Sequence, residues 1–181
     1  MRRVVINMKK RLRRIYVKWL VWRGKAVDIG SNGAYPAGVL SNFTPYTFTF
    51  RGIDFVSMEA LLQGLKFEGV EKQAKIFKLV GVQAKFKGKK RKWYLDQRLY
   101  WQGKPMMRDS EEYKSLVKEA FDALALNEDF QKALLATGNK RLYHTMGKSD
   151  STKTILTEDE FCSLLTKIRT RLQDNDGEER I

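Results

Sequence analysis

The chain has 181 residues, of which 35 are Lys or Arg and 21 are Asp or Glu, so its formal net charge at pH 7 is +14. An excess of positive charge of this size attracts polyanions, including nucleic acid. The single Cys excludes an internal disulfide, the single His disfavours a conventional transition-metal site, and 43% apolar residues suffice for the core of one domain.

The N-terminal segment, residues 1–38, concentrates much of the positive charge. Ten Lys and Arg residues precede the first acidic residue, Asp28. Partial alternation predicts strands over Val4–Asn7 and Arg14–Val21, whereas a basic amphipathic helix over Lys9–Trp22 fits the same residues. We expect this segment to capture polyanionic substrate, although a solvated surface or an RNA-binding arm is the commoner use of such a run.

An apolar stretch in this segment raises the question of a membrane. It covers Ile15–Trp22, is interrupted by Lys18 and is too short to span a bilayer. No small-residue cleavage site follows it. We therefore expect a cytoplasmic protein with no membrane partner.

The next predicted elements are a hairpin and a helix within Leu40–Phe67. Aromatic residues alternate with threonines over residues 46–50, Arg51-Gly52 supplies the turn, and residues 53–55 return. A helix follows the expected N-cap Ser57. Its buried side consists of the apolar residues at helical spacing, Met58, Leu61, Leu62 and Leu65.

The polar side of this helix carries Glu59, Gln63 and Lys66 at spacings i, i+4 and i+7. These positions lie within roughly 60° of one another on a helical wheel. A carboxylate, an amide and an amine on one face, beside a loop with Ser41 and Asn42, form a candidate catalytic site. By spacing alone, an ordinary solvated helix face is the commoner explanation.

The rest of the chain is predicted to be mainly helical. A helix covers Lys72–Leu79, and Gln102-Gly103 turns a hairpin between residues 99–101 and 104–107. Three further helices follow residues with N-capping chemistry, at Asp109–Glu112, Asn127–Asp129 and the capping box Thr157–Glu160. We predict an α+β fold, a single mainly helical domain with short β-hairpins over residues 39–172, and a disordered polar tail over residues 173–181.

Several segments together resemble the NADAR family, also known as the domain of riboflavin-intermediate N-glycosidases. They are the run LSNF at Leu40–Phe43, the hairpin around Gly52, F-x-S-x-E at Phe55–Glu59, and Gln63 followed by Lys66-Phe67. Ala84–Lys89 resembles the family's A-[KR]-x-x-G-[KR] segment, and Asn127–Thr137 resembles its helix N-x-x-[LF]-x-x-x-L-L-x-T. The resemblance covers Val39–Arg169 and implies a NADAR-like catalytic domain.

This resemblance implies a hydrolase that cleaves N-glycosidic bonds of ribose derivatives, for which we expect no cofactor and no metal. Family members act on phosphorylated riboflavin precursors or on ADP-ribose attached to guanine bases in nucleic acid. The small-molecule branch has a Trp at the position of Tyr113, and a Trp- and Gly-rich loop where this chain has His144–Thr157 with no Trp and one Gly. Together with the segments Leu99–Arg108 and Leu156–Arg169, these departures favour the branch paired with DNA-modifying ADP-ribosyltransferase toxins.

The partners that follow are ADP-ribosylated nucleic acid or an ADP-ribose-like ligand, and a cognate ADP-ribosyltransferase toxin to which the protein is the antitoxin. Two alternatives stay open. One is an N-glycosidase acting on phosphorylated riboflavin-biosynthesis intermediates, and the other is a non-enzymatic module that binds nucleic acid or ADP-ribose.

The expected catalytic residues follow from the needs of the reaction. Cleavage requires stabilisation of positive charge at the anomeric carbon and proton transfer to the departing nitrogen, so Glu59 is the expected acid/base. Lys66 is the second catalytic candidate, as a hydrogen-bond donor to phosphate or ribose or as an amine nucleophile. The expected substrate-binding residues are Asn42, Phe43, Gln63, Lys85, Trp101, Arg108, Tyr113, His144 and Asp150.

Within that set, Asn42 and Gln63 are expected on the ribose and Lys85 and Arg108 on the pyrophosphate. Trp101 or Tyr113 is expected to stack on a base. A core tryptophan explains Trp101 equally well, and a lone histidine such as His144 is more often structural. The segment Gly147–Asp150 offers backbone donors, a cation and a carboxylate but lacks the upstream Gly and strand of a phosphate-binding P-loop.

Overall fold

The polypeptide forms seven α-helices and six short strands within the part of the chain that the structure describes. In this computed structural model the backbone is described for residues 2–178, and the side chains for residue 8 and residues 10–175. The helices are α1 (Arg2–Trp22), α2 (Met58–Gly64), α3 (Val70–Phe77), α4 (Gly81–Lys89), α5 (Glu111–Leu124), α6 (Glu128–Leu135) and α7 (Glu158–Glu178). The strands are β1 (Ala26–Asp28), β2 (Phe48–Phe50), β3 (Ile53–Phe55), β4 (Arg98–Trp101), β5 (Lys104–Met107) and β6 (Arg141–Tyr143). The predicted α+β class, a single mainly helical domain with short hairpins, is confirmed.

Both predicted hairpins are present, and their turn residues explain them. Strand β2 pairs with β3, and β4 pairs with β5, each antiparallel. Arg51 and Gly52 have φ angles of 49° and 75°, and Gln102 and Gly103 have φ angles of 47° and 80°. Two consecutive residues with positive φ make a two-residue turn whose twist matches that of the paired strands.

The N-terminal segment is helical. The prediction of strands over Val4–Asn7 and Arg14–Val21 is therefore wrong, and the helical alternative applies. No Gly or Pro interrupts α1, and Val17 and Leu20, three residues apart on one side of it, pack into a small apolar cluster with β1 and β6. Gly24, with a φ of 68°, takes the left-handed conformation beyond the helix end. Strand β1 then pairs in parallel with β6, which joins the N-terminal segment to the rest of the fold.

The predicted caps of the last three helices are present. The Ser110 hydroxyl accepts a hydrogen bond from the backbone of α5 at 3.2 Å, and Asn127 Oδ1 accepts one from the backbone of α6 at 3.1 Å. The Thr157 N–H donates to Glu160 Oε2 at 2.7 Å, while the Glu160 N–H donates to Thr157 Oγ1 at 3.2 Å. This reciprocal pair is a capping box, and it starts α7.

Helix α7 extends beyond the predicted boundary of the domain. The predicted disorder from Gln173 onward is wrong as far as Glu178, where the helix ends, and residues 179–181 lie outside the described part of the chain. The continuation has a physical reason, because Leu172 packs against the core and no Gly or Pro interrupts the helix before Gly177.

Helix α2 lies in the interior of the fold, and all seven of its residues are buried. Its C-terminal end is held by the buried side chain of Gln73. The Gln73 amide nitrogen donates to the carbonyls of Phe67 at 2.8 Å and Tyr100 at 2.7 Å, while its oxygen accepts from the Gln102 N–H at 2.9 Å. One side chain on α3 therefore ties the end of α2 to the β4–β5 hairpin.

Helix α4 packs unusually close to α2 through small residues. A Cβ added at Gly88 would lie 1.9 Å from Gln63 Oε1, and one added at Gly81 would lie 2.2 Å from the Cα of Phe43. Ala84, between them on the same side of the helix, is fully buried. The A-[KR]-x-x-G-[KR] pattern thus marks a close contact between helices, and that contact sets the position of Lys85.

We predict that Gly88→Ala disrupts this contact. Because the added methyl overlaps the Gln63 side chain, α4 must move outward, and the free energy of unfolding should fall by about 2 kcal/mol. Urea unfolding followed by circular dichroism measures the change. Gly30→Ala is the matched control, since a Cβ there meets only Met146 Sδ at 3.9 Å; equal stability of the two variants would contradict the tight contact.

Candidate active site

The β2–β3 hairpin and the loop before it fix the start of α2. Ser57 caps the helix, because its hydroxyl accepts a hydrogen bond from the Ala60 N–H at 3.2 Å. The Glu59 N–H also lies in the first turn and has no partner within the helix; it donates to the backbone carbonyl of Asn42 at 2.9 Å. The Ser41 hydroxyl in turn accepts from the Phe43 N–H at 3.3 Å. The loop is thus held against the first turn of α2, beside Glu59.

The polar stripe of α2 is a connected hydrogen-bonded chain. Gln63 Nε2 donates to Glu59 Oε1 at 2.7 Å, and Lys66 Nζ donates to Gln63 Oε1 at 2.6 Å. Lys85 Nζ, on α4, lies 3.1 Å from the same Glu59 oxygen. The Gln63 amide is oriented by its neighbours, since a carboxylate accepts only and an ammonium donates only.

This chain is buried and is not a solvated helix face. Glu59 is 4% exposed, Gln63 is fully buried and Lys66 is 9% exposed. The side chain of Lys85 is half exposed and reaches from α4 over the carboxylate. Buried charges are stable only when they are paired. The Glu59 carboxylate has a direct partner in the Lys85 ammonium and a second, through the Gln63 amide, in the Lys66 ammonium.

Burial changes the acidity of Lys66. Removal from water lowers the pKa of the Lys66 ammonium from its usual value to about 8. That value includes the positive charge of Lys85, which acts in the same direction as burial, and a smaller effect of Lys148, while Glu59 opposes them. At neutral pH roughly one Lys66 in ten is then the free amine.

Lys148 belongs to the loop that follows β6, and it was not among the predicted site residues. The loop is held by a hydrogen bond from the Glu158 N–H to the Lys148 carbonyl at 3.0 Å. Lys148 is exposed, so it joins Lys85 as a solvent-facing cation whose field reaches the buried Lys66. Its sequence signal was the cation of Gly147–Asp150, but only tertiary structure brings that loop toward α2.

Arg91 is a further residue that the sequence did not single out. Its Nε donates to the Lys66 carbonyl at 3.4 Å, and its guanidinium lies 5.1 Å from the centre of the Phe67 ring. It therefore supports the segment that carries Lys66. Its available signal was that it is a basic residue two positions beyond α4, but it stands among several other Lys residues between positions 85 and 92.

Two of the predicted binding residues, His144 and Asp150, lie in the same loop as Lys148. His144 Nδ1 is 2.7 Å from the Ile29 carbonyl, which makes Nδ1 the protonated nitrogen, and the ring packs edge-on against Phe161. Asp150 caps a short turn by accepting from the Thr152 N–H and hydroxyl, and these hydrogen bonds together with Lys153 lower its pKa. Both side chains thus make structural contacts, His144 with residues distant in sequence and Asp150 within its own turn.

Arg108 is placed in the interior, contrary to the expected contact with pyrophosphate. It is 2% exposed, pairs with Glu160 Oε2 at 2.6 Å through Nη2 and donates through Nε to the Thr154 carbonyl at 3.1 Å. The guanidinium also lies 4.8 Å from the centre of the Tyr113 ring. Its hydrogen-bonding groups therefore join β5 to the start of α7.

The two residues expected to stack on a base both pack against other side chains of the protein, Tyr113 in the interior and Trp101 partly buried at its edge. Tyr113 is 1% exposed, and its hydroxyl donates to the Ile155 carbonyl. Burial raises the pKa of this hydroxyl well above its usual value. Trp101 packs against Phe50 and Phe77 with ring centres 5.4 and 6.1 Å apart. The core-tryptophan alternative is the one that the structure supports.

A separate groove of about 520 Å³ lies between α1, β6 and α7. Arg13, Tyr143 and Cys162 line it, and none of the Glu59 chain does. Burial raises the pKa of the Cys162 thiol to about 12, so this sulfur is a poor nucleophile. Among the described residues, no group of His, Cys, Asp and Glu is arranged to hold a metal ion. Nor does any described helix have the length and apolarity to cross a bilayer.

Comparison with known proteins identifies the family. Residues 34–170 match the family of bacteriophage protein GP30.3. The chain belongs to this family. An uncharacterised 17.1 kDa protein from the Gp30–rIII intergenic region of Enterobacteria phage T4 is 39% identical over 150 residues, which cover 81% of this chain and 98% of that protein.

The GP30.3 family is of the NADAR type, so the predicted resemblance is confirmed. The NMR structure of the E. coli protein YbiA, a NADAR protein, matches with a TM-score of 0.58 at 17% identity, covering 86% of this chain and 89% of that one. At this identity the match shows the fold alone. Because NADAR proteins are associated with N-glycosidase activity, the relationship supports an N-glycosidase-like role for this GP30.3-family protein.

We predict that Arg108→Ala destabilises the protein without selectively weakening ligand binding. Loss of the guanidinium removes the hydrogen-bond donor that Glu160 and the Thr154 carbonyl share. The free energy of unfolding should therefore fall by about 3 kcal/mol in urea titrations. Lys114→Ala removes a solvent-exposed pair with Glu111 and should leave the free energy of unfolding nearly unchanged. A stable Arg108→Ala variant that binds ADP-ribose more weakly would contradict this prediction and indicate that Arg108 contacts the ligand.

Proposed function

We propose that the protein is an N-glycosidase that removes ADP-ribose from guanine bases in nucleic acid. The observation that carries the proposal is the buried chain Lys85, Glu59, Gln63, Lys66, which joins one carboxylate to two ammonium groups. The relationship to NADAR proteins supports the bond type. The guanine ADP-ribose substrate rests on the sequence departures from the small-molecule branch.

Glu59 is the proposed acid/base. In the reaction the bond from the ribose anomeric carbon to the guanine nitrogen breaks, and a water oxygen bonds to that carbon. The water proton passes through Glu59 to the departing nitrogen, while the carboxylate stabilises the positive charge that develops on the sugar. Its burial supports this role, because a charge acts more strongly where water is excluded.

The surrounding cations are proposed to hold the diphosphate. Charge-assisted hydrogen bonds to phosphate are stronger than neutral ones. Lys85 and Lys148 are solvent-facing ammonium groups whose charges act on the buried Lys66. Lys66 is proposed to donate to a phosphate or ribose oxygen, and Asn42 and Gln63 to position the ribose. Because Arg108 is paired with Glu160, the contact with pyrophosphate that was expected of it is proposed for Lys66, Lys85 and Lys148.

The biological setting we propose is that of an antitoxin. A DNA ADP-ribosyltransferase toxin attaches ADP-ribose to guanine, and this protein would remove it. Co-expression tests the pairing: wild-type protein should relieve the toxicity of such a transferase and Glu59→Gln should not. Relief by Glu59→Gln would indicate neutralisation through binding instead of hydrolysis.

We predict that Glu59→Gln lowers kcat/KM by about 10²- to 10⁴-fold, because an amide cannot transfer the proton. The assay measures release of free ADP-ribose from DNA ADP-ribosylated on guanine. Glu112→Gln, at an exposed position on α5, is the matched control and should retain full activity.

The same assay separates the competing functions. Full activity of Glu59→Gln would overturn the assignment. If modified DNA is inert while a phosphorylated aminopyrimidine riboside is consumed, the protein belongs to the riboflavin-intermediate branch. Binding of ADP-ribose or nucleic acid without turnover of either substrate would indicate a non-enzymatic module.

We predict that kcat/KM falls as the pH rises through about 8, the pKa of Lys66. Below this pH the ammonium is present and can hold phosphate; above it, the neutral amine has lost the charge. Lys66→Arg should retain activity and lose this step, since arginine stays protonated. If kcat/KM instead rises to a plateau above pH 8 and Lys66→Arg is inactive, Lys66 is the amine nucleophile.

A further inference from the structure

The outward side of α1 carries a continuous apolar surface. Its members are exposed side chains with exposed fractions of 49–78%: Met8, Leu12, Ile15, Tyr16, Trp19 and Trp22. Their spacing places them within an arc of roughly 120° around the helix axis. We call these six side chains the outer apolar face. Isolated exposed apolar residues are ordinary, but a continuous stripe along a helix marks a binding surface.

Helix α1 is attached to the domain by a different side, so the outer apolar face is not a docking contact within the chain. Val17 is fully buried, and the Arg13 guanidinium makes two hydrogen bonds to Glu158, at 2.7 and 2.5 Å. Arg14 donates to the Thr145 carbonyl at 3.4 Å. These contacts fix the rotation of the helix and turn the outer apolar face away from the core.

Positive charge borders the outer apolar face. Arg11, Arg14 and Lys18 project at the edge next to Ile15 and Trp22, and all three are exposed. No acidic residue occurs before Asp28. A surface that combines an apolar stripe with a purely basic edge is complementary to an apolar partner that carries negative charge.

The helix is an addition to the family domain. The family match begins at residue 34, whereas α1 ends at Trp22. The phage T4 relative is matched over 98% of its own length by 81% of this chain. The outer apolar face therefore lies outside the residues that match the family.

We propose that α1 binds the surface of an anionic lipid bilayer. A helix with Lys and Arg on its polar side and Trp, Leu and Ile on the other lies in the plane of the interface, its apolar side among the upper acyl chains. Tyr16, Trp19 and Trp22 suit the boundary between headgroups and acyl chains. The helix lies on the bilayer in this arrangement and does not span it.

Other occupants fit less well. A second copy would bring two basic edges together with no acidic residue between them. Nucleic acid matches the basic edge, and its bases can stack on the aromatic rings, but it leaves the aliphatic Met8, Leu12 and Ile15 in water. Of these three occupants, the lipid surface is the one that covers the whole stripe and also pairs the charge. The proposal thereby replaces the sequence-based expectation that this segment captures polymeric substrate and that no membrane is a partner.

The test compares binding of the full chain to two kinds of vesicle. One contains equal parts of phosphatidylcholine and phosphatidylglycerol, and the other contains phosphatidylcholine alone. Co-sedimentation measures the partition coefficient, and the shift of tryptophan fluorescence reports transfer of the rings from water. The wild type should favour the anionic vesicles by at least about tenfold.

Two variants separate the apolar and electrostatic contributions. Ile15→Ser combined with Trp22→Ser should lower binding to anionic vesicles about tenfold or more, since the apolar area of two side chains is no longer transferred from water into the bilayer. Leu95→Ser combined with Leu126→Ser is the matched control, because these residues are 73% and 79% exposed outside α1, and it should bind like the wild type. Arg11→Gln with Lys18→Gln should weaken binding roughly fivefold per cation removed. Thermal unfolding midpoints confirm that all variants are folded.

Several outcomes would overturn the proposal. The first is that the wild type ignores anionic vesicles or that the Ile15 and Trp22 double variant binds them equally well. The second is that single- or double-stranded DNA binding depends on Ile15 and Trp22, which would make the stripe a nucleic-acid surface. The third is a wild-type dimer in sedimentation that this double variant abolishes, which would make it a self-association surface.

Discussion

The contact between α2 and α4 is the constraint on which the candidate site depends. A carboxylate buried on a wholly buried helix is unstable unless a positive group reaches it. Gly81, Ala84 and Gly88 remove the side-chain bulk that would hold α4 away, and Lys85 then projects from the same helix onto Glu59. Packing and charge pairing are therefore one feature, since the small residues that close the contact also deliver the cation.

The same contact explains the acidity of Lys66. Glu59 is shared between Lys85 directly and Lys66 through the Gln63 amide, so one negative charge compensates two positive ones. Burial removes water that would otherwise stabilise the remaining charge, and the pKa of Lys66 falls to about 8. A site with surplus positive charge next to a buried carboxylate suits a substrate that has an anionic diphosphate near the bond to be broken.

Several residues with the chemistry of a binding site instead hold short elements together. Strands of three or four residues, and helices of which five have 14 residues or fewer, leave many backbone groups without a partner within the element. Arg108 and Tyr113 supply partners to Thr154 and Ile155, and Gln73 does so for Phe67 and Tyr100. A buried polar side chain of this kind looks functional in sequence because it is chemically unlike an ordinary core residue.

The sequence by itself determined the features that depend on neighbours along the chain. The turns at Arg51-Gly52 and Gln102-Gly103, the caps at Ser57 and Thr157, and the Glu59, Gln63, Lys66 stripe are local, because backbone angles and helical spacing act over a few residues. Only the tertiary structure decided whether the stripe was solvated or buried, because that depends on α4.

Tertiary structure also decided the fate of the side chains whose partners are distant in sequence. Arg108 meets Glu160 across 52 residues, and Tyr113 meets Ile155 across 42. Lys148 lowers the pKa of Lys66, although four of the seven described α-helices, α3 to α6, lie between them in the sequence. Sequence patterns indicate that such side chains are polar or aromatic, but a pattern of local spacing contains no information about which distant backbone group or charge each one will face.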